Sequence, residues 1–470
     1  MLVPDNSLLV PFKGKHEGQS AIVFGTGSSL EQFSWSLLPE PPDISVGVNY
    51  IIFRDDIKLD YYFATHYVHQ PGSDPKAAQH YADKIVERSE GTQVFIGAAP
   101  HARWSEFLPT DVARMHNAIV FELHDKSKFE LIGFSFGPDD HNDEMRKRVS
   151  SAFDQFINVN LKNDKEIALL SRDLKIDIAV DLMGFTKNNR FGIFVERCAP
   201  IQVNYLGYSA TTGADCIDYI IGDKVVIPKE NQKDYSEKII YLPDCFMAND
   251  FTKKISTKIF TREELGLPKE GFVFCCFNKY YKIIPSIFDI WMRLLKKVEG
   301  SVLWLTGDNL TGAKNLQKEA NQRGVDSNRL IFSKAMPLLA DHLARHKSAD
   351  LFIDTIPYNG HTRASDALWA GLPVLALIGQ SFASRVSASL LNAVGLQELI
   401  TYSEKEYEDL SIELATNPTR LKEIKSKLEK NKLIKPLFNT KLFTKNIESA
   451  YTKIYEKYLK NLSVENIEIK

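Results

Sequence analysis

The chain has 470 residues, 44% of them hydrophobic and 25% charged, with a formal net charge of -2. That composition describes a globular protein with room for about three domains, and its charge balance gives no drive toward nucleic acid or an anionic membrane surface. No stretch approaches the ~18 apolar residues of a membrane helix, and the first residues, MLVPDNSLLVPFKGK, lack a signal-peptide core, so the expected location is cytoplasmic with no membrane span. The five cysteines, Cys198, Cys216, Cys245, Cys275 and Cys276, have no metal-ligand spacing. Their odd number suits free thiols in a reducing compartment, and no metal site is expected.

Taken in order, residues 1–105 read as a small Rossmann-like α/β unit. A buried-type strand, Ala21 to Phe24, runs into Gly25-Thr26-Gly27-Ser28-Ser29. Further strands are predicted at Ile44–Val48, Tyr61–Ala64 and Gln93–Gly97. The glycines would let backbone approach a nucleotide, or would only make a tight turn.

Residues 106–250 alternate helix and strand and make a first lobe. Leu108 to Glu122 reads as a helix, IDIAVDLMGF as a strand running into a loop, and APIQVNYLGYSATTGADCIDYIIGD as strand, glycine-bearing loop and strand. The connection at 241–268 ends in a capping-box pattern, Thr261 to Glu264.

A second lobe spans 251–435. Residues 272–305 read as strand, loop, helix and strand, with Lys282 in the loop. The run ADLFIDTIPYNGHTRASDALWAG reads as a strand, a turn through Pro357 and Asn359-Gly360, and a helix starting at Thr362. Such a helix aims unpaired N–H groups and the positive end of its dipole into the turn, where a diphosphate would sit. His361 and Thr362 stand at that mouth, and Asp366 lies one turn in, placed to accept from a sugar hydroxyl. An ordinary β-α corner, capped by Thr362 and with Asp366 complementing the dipole, fits the same residues. In an open parallel sheet both loops would share one edge, so Lys282 and the His361 turn would share a pocket. Residues 436–470 form an amphipathic helix followed by a frayed end.

These segments carry a family resemblance. FELIGFSFGPDD, the APIQVNYLGYSATTGADCIDYIIGD run, YSEKIIYLPD, FCCFNKYYK, DHLARHKSADLFIDTIPYNGHT, SDALWAGLPVL and PLFNTKLF occur in one order. Together they resemble the catalytic region of the O-linked N-acetylglucosamine transferase and SPINDLY glycosyltransferases, from about Phe129 to Tyr458. The patterns GTGSSL, GVN and DYYFATH are similar to the start of small sialyltransferase-like nucleotide-binding domains. The resemblance implies a two-lobed GT-B fold preceded by the small α/β unit, with an acceptor-side first lobe, a donor-binding second lobe and a C-terminal helix crossing back.

The activity it implies is an inverting, metal-independent transfer of N-acetylglucosamine from UDP-GlcNAc to a protein Ser/Thr hydroxyl. Alternatives are fucosyl or hexosyl transfer to a protein or surface glycan, and a catalytically inactive nucleotide-sugar-binding protein. Carried onto this sequence, the family's pattern makes Lys282 the catalytic lysine at the donor diphosphate. It makes Asn278, Lys279, His342, Arg345, His361, Thr362, Arg363 and Asp366 donor-binding residues.

Several positions depart from that pattern. The family's acceptor-side histidines fall on Asp111 and Met115, leaving His116, one residue away, as the acid-base candidate and His101 well upstream. Gly184-Phe185 stands for Gly-Tyr, Ser209-Ala210 for Pro-Gly, and Arg363 for a second threonine. Losing the proline and glycine predicts a different path for the acceptor-side loop. No helical repeats of about 34 residues are visible, although family members often carry them.

Overall fold

The computed structural model describes residues 118–136, 143–307 and 309–470, together with four strands between Ala21 and Gly97. The chain divides into two compact units, Met1–Glu106 and Phe107–Lys470. In the first unit β1 (Ala21–Phe24), β2 (Ile44–Val48), β3 (Tyr61–Thr65) and β4 (Gln93–Gly97) form one parallel sheet in the order β1-β2-β3-β4. The succession never reverses among these four strands, whereas open α/β sheets take ligands where it does. The Gly25–Ser29 turn lies outside the described residues.

In the second unit, β5 (Ile132–Ser135) and β6 (Gln155–Asn158) form a separate parallel pair. The first lobe is built on β7 (Ile178–Asp181), β8 (Ile201–Asn204), β9 (Tyr219–Asp223) and β10 (Lys238–Leu242), all parallel. β8 and β9 are buried at every position, which is why they read as near-continuous apolar runs rather than alternating ones.

The second lobe contains β11 (Val273–Cys276), β12 (Val302–Thr306), β13 (Leu330–Ser333), β14 (Leu351–Ile353), β15 (Val374–Leu377) and β16 (Ile400–Thr401), in the order β13-β12-β11-β14-β15-β16. Strand succession reverses between β11 and β14, which pair in parallel through Phe274 with Leu351 and Cys275 with Phe352. Their carboxyl ends open side by side, and that crevice is where doubly wound sheets bind ligands.

Four helices flank the crevice. α1 (Pro285–Lys297) starts with proline at its first turn and buries Ile287, Ile290, Trp291 and Leu294 at helical spacing. α2 (Leu339–Arg345) precedes β14, α3 (Thr362–Trp369) follows it, and α4 (Val386–Ala393) lies between β15 and β16. Beneath the crevice the core holds Phe274, Trp291, Trp304, Phe352 and Tyr407. The Tyr407 hydroxyl reaches up to donate to the Asp354 carbonyl at 3.0 Å.

The tail ties the lobes together. α5 (Thr440–Leu459) is capped by Asn439, whose side chain accepts from the Leu442 N–H at 3.1 Å. Its Ile447, Ala450 and Ile454 pack with Ile201, Val203, Ile221 and Ile240 of the first lobe. The end of the chain is not frayed as predicted. β17 (Ile467–Glu468) joins β10 in parallel, giving the sheet order β17-β10-β9-β8-β7. Ile467 and Ile469 are buried with Glu468 between them exposed, so Ile-Glu-Ile is a period-two strand signal. Among the described residues no helix is long and apolar enough to cross a membrane.

Buried polar contacts fix one lobe on the other. Asp223, at the end of β9, accepts from the backbone N–H groups of Val225 (2.8 Å), Val226 (3.0 Å) and Phe246 (2.8 Å) and from the Ser389 hydroxyl of α4 (2.6 Å). Arg385 Nε donates to the Val225 carbonyl at 2.6 Å. The Ser365 hydroxyl of α3 donates to Asn249 in the connecting segment. Replacing Asp223 with alanine strips three buried donors and one part-buried donor of their acceptor. Asp223→Ala is therefore expected to destabilise the protein by about 3 kcal/mol, read as a lower urea midpoint, with Asp223→Asn milder. An unchanged midpoint in Asp223→Ala would remove this carboxylate from the inter-lobe scaffold.

Candidate active site

The crevice is organised by Asp354, the residue after β14. Its buried carboxylate accepts from Asn278 Nδ2 at 2.8 Å, the Thr355 N–H at 2.8 Å and the Ser387 hydroxyl at 2.5 Å. Asn278 Nδ2 also donates to Thr355 Oγ1 (2.7 Å), and that hydroxyl donates to the Tyr358 carbonyl (2.6 Å). Asn359 closes the network, donating to the Thr355 carbonyl at 2.8 Å and accepting from the Ser387 N–H at 3.2 Å. Burial pushes the Asp354 carboxyl up, and these hydrogen bonds oppose that shift. Asn278 Oδ1 is buried with no partner among the described residues. A Cβ on Gly360 would come within 3.1 Å of it, so the turn passes close over this open acceptor.

Lys282 reaches the same point from the β11 loop. Its Nζ donates to the Asn359 carbonyl at 2.7 Å and sits 3.6 Å from the centroid of the Tyr358 ring. Burial pushes this lysine down to about 8, with Asp354 partly opposing it. His361 caps α3 with a positive φ of 47°, a conformation L-residues hold only when the surroundings enforce it. Its Nε2 lies 3.1 Å from the Ala383 carbonyl, and its Nδ1 lies 3.4 Å from Ser209 Oγ across the crevice. Burial, with Lys282 adding to it, pushes the imidazole down to about 3, so it is neutral. Since a carbonyl only accepts, Nε2 carries the proton and Nδ1 accepts from Ser209. Among the described residues no acceptor faces the Thr362 N–H or hydroxyl.

Next to this point, α2 brings in two more groups. His342 Nδ1 is 2.6 Å from an Arg345 guanidinium nitrogen, and His342 Nε2 is 3.2 Å from one of Arg363. Burial, followed by neighbouring positive charge, drives the His342 imidazole far below its ordinary value. A neutral ring has one lone-pair nitrogen, so only one of the two guanidinium donors is satisfied. Arg345 also donates to the Lys334 carbonyl at 2.8 Å and lies 4.4 Å over the Phe277 ring, yet its buried Nε has no acceptor among the described residues. Burial pushes Arg345 down to about 10, so it stays charged at neutral pH. Among the described residues no carboxylate lies within salt-bridge distance of Arg345 or Arg363. Asp366 is paired with Lys253 at 2.7 Å, both side chains buried. The corner therefore carries uncompensated positive charge, the complement of a diphosphate.

Of the residues singled out in the sequence, Asn278, Lys282, His361 and Thr362 meet at the β11–β14 crevice. His342, Arg345 and Arg363 form the adjoining cationic corner. Asp366 lies in the same corner, engaged by a lysine the sequence reading did not anticipate. Lys279 is half-buried at the start of the loop. His116 and His101 lie outside the described residues. Three side chains of this site were missed. Lys253 sits in FTKKIS, where nothing local marks it, Tyr358 underlies the Lys282 ammonium, and Ser387 arrives from a helix distant in sequence.

Two lobes of parallel α/β sheet, with an anion-receptive crevice at the switch point of the second, define the GT-B class of glycosyltransferase fold. The chain belongs to glycosyl transferase family 41, whose profile matches residues 105–258 and 252–447. It is 36% identical over 342 residues to the probable UDP-N-acetylglucosamine–peptide N-acetylglucosaminyltransferase SEC of Arabidopsis thaliana, covering 72% of this chain and 35% of the relative. It is 31% identical over 343 residues to the similarly named SPINDLY of the same plant, covering 72% and 37%. The chain thus spans about a third of the length of these curated relatives. Among solved structures, an O-GlcNAc transferase mutant from Thermobaculum terrenum superposes with a TM-score of 0.67 at 29% identity, covering 72% of this chain and 64% of that one.

The position of Lys282 fixes a pH dependence. In the free protein its ammonium is lost as pH rises through about 8, and a diphosphate favours the charged form. Affinity for inorganic pyrophosphate, measured by titration calorimetry, is expected to fall up to about tenfold per pH unit above that value, and Lys282→Met is expected to flatten the profile. Folding stability runs the other way. The penalty for burying the charge is full below about 8 and is relieved as pH rises toward the ordinary 10.5 of an unfolded-state lysine.

Proposed function

We propose that this chain is an inverting, metal-independent glycosyltransferase that moves N-acetylglucosamine from UDP-GlcNAc to a serine or threonine hydroxyl of a protein. The observation that carries the reading is the convergence of Lys282 and the α3 entrance on one crevice, with Arg345 and Arg363 uncompensated beside it. The printed names of the SEC and SPINDLY relatives, both UDP-N-acetylglucosamine–peptide transferases, support the choice of donor and acceptor. In this reading residues 106–250 serve the acceptor, 251–435 bind the donor, and 436–470 return to the first lobe.

The acceptor oxygen attacks the anomeric carbon from the face opposite the diphosphate. The bond to the leaving oxygen breaks, the electron pair stays with the diphosphate, and the hydroxyl proton passes to a base, for which His116 is the sequence candidate. The Lys282 ammonium, the Thr362 N–H and the Arg363 fork meet the charge that develops on the leaving group. Neutral His361, with both ring nitrogens engaged by the protein, shapes the turn on which the donor rests. His342 and Arg345 border the nucleoside, and Asp366, oriented by Lys253, takes the ribose hydroxyls. Asn278 and Lys279 shape the loop that carries Lys282.

Lys282→Ala is expected to lower turnover on the order of 10²–10³-fold with the circular dichroism spectrum unchanged; near-normal turnover would discard the assigned role. Stripping divalent ions with EDTA is expected to leave turnover unaltered. Arg363→Thr, which restores the family's residue, is expected to weaken UDP binding about tenfold through loss of a charge-assisted hydrogen bond. Equal or tighter UDP binding in that variant would mean that the guanidinium obstructs the pocket. UDP, rather than GDP, is expected to raise the melting temperature of the wild-type chain.

A further inference from the structure

The loop between β8 and β9 is held rigidly although it lacks the proline and glycine of its family. Gly207 packs so close to the β7 loop that a Cβ there would fall 2.1 Å from the Leu182 carbonyl oxygen. Asn204 Nδ2 reaches the Ala210 carbonyl at 3.3 Å. From beneath, the buried Glu237 carboxylate accepts from Thr211 Oγ1 (2.5 Å), the Thr212 N–H (2.6 Å) and Thr212 Oγ1 (2.6 Å). Ser209 stands in the middle of this clamped loop, and its hydroxyl faces His361 Nδ1 across the crevice.

That contact has a defined chemistry. With Nε2–H committed to the Ala383 carbonyl, the Nδ1 lone pair calls for an O–H or N–H donor. Serine supplies one, and threonine would. A proline would not. The imidazole stands edge-on to the Tyr358 ring at 4.7 Å, and that ring carries the Lys282 ammonium 3.6 Å from its centroid. The His361 ring is thus packed against the ring on which the Lys282 ammonium rests. The Asp223–Ser389, Arg385–Val225 and Ser365–Asn249 contacts hold the lobes independently of Ser209, so losing its hydroxyl perturbs the crevice without releasing the lobes.

We propose that Ser209 is a positioning residue. Its hydroxyl fixes the orientation of His361, whose tautomer the Ala383 carbonyl already sets, and ties the acceptor-side loop to the donor-binding turn, so that seating the donor and placing the acceptor loop are coupled. The inference rests on the transferase reading for its functional consequence but not for the contact itself.

The test compares Ser209→Ala and Ser209→Thr in the full chain, using imidazole ¹⁵N resonances of His361, UDP affinity by calorimetry, and donor KM and kcat. In Ser209→Ala, the His361 Nδ1 resonance is expected to move toward that of an unbonded acceptor nitrogen. UDP affinity is expected to fall about fivefold, the loss of one hydrogen bond, and kcat/KM to fall chiefly through KM. Ser209→Thr is expected to restore all three, with melting temperatures alike. The proposal is overturned if the alanine variant keeps the wild-type resonance and UDP affinity, or if alanine and threonine behave identically. Should wild-type protein bind no UDP, the transferase reading falls, while the His361 resonance still decides whether Ser209 holds the ring.

Discussion

The structure depends on one buried carboxylate. Removing an unpaired carboxylate from water is prohibitively unfavourable, so Asp354 must be surrounded by donors, and each donor is recruited from a different β-α connection. Asn278 comes from the β11 loop, Thr355 from the β14 turn and Ser387 from α4. The adjacency of β11 and β14 at the switch point makes this convergence possible. The same carboxylate places negative charge beneath Lys282, which allows an ammonium to be buried at all. One residue thus sets both the shape of the crevice and the charge state of its principal cation.

The adjoining corner shows the opposite economy. Lys253 and Asp366 neutralise each other, but Arg345 and Arg363 crowd a neutral His342 that can satisfy only one of them. Such a cluster is destabilising in the free protein, and it persists because a densely packed core over-determines the positions of the helices that bear it. Trp304 is fully buried, Phe277 packs edge-on to it at 4.9 Å, and Arg345 lies over the Phe277 ring. Strain of this kind is tolerated where a ligand relieves it.

What could be read from the sequence follows from how local each signal is. Strands such as Val273–Cys276 and Leu351–Ile353 announce themselves as short apolar runs, and the turn at Asn359-Gly360 marks the start of α3, so the crevice and the meeting of Lys282 with His361 were legible. The terminal strand was missed because two residues of alternation in a polar tail are easily taken for coil, although Ile467 finds Ile240 in register. The Lys253–Asp366 pair joins residues 113 positions apart, and no window along the chain contains both. Asp366 shows the limit most plainly. Its place one turn into α3 was readable, but its partner was set by the path of the inter-lobe segment.

The departures from the family's pattern are unevenly distributed, and their placement carries an argument. Arg363 adds charge to a corner that already carries Arg345. Gly184-Phe185 and Ser209-Ala210 lie on the opposing loops of the first lobe. There Gly184, at a φ of +53°, leaves room for Tyr208, whose Cβ would otherwise meet a side chain at 2.2 Å. Phe185, 42% exposed, packs at 4.6 Å from Phe191 and 5.4 Å from Tyr208. The loops therefore fit tightly together, with Glu237 bracing one of them from below. A loop that had merely lost its constraint would have relaxed its packing. Contacts from Tyr208 above and Glu237 below thus supply the constraint that the restricted φ of a proline would otherwise impose on this loop.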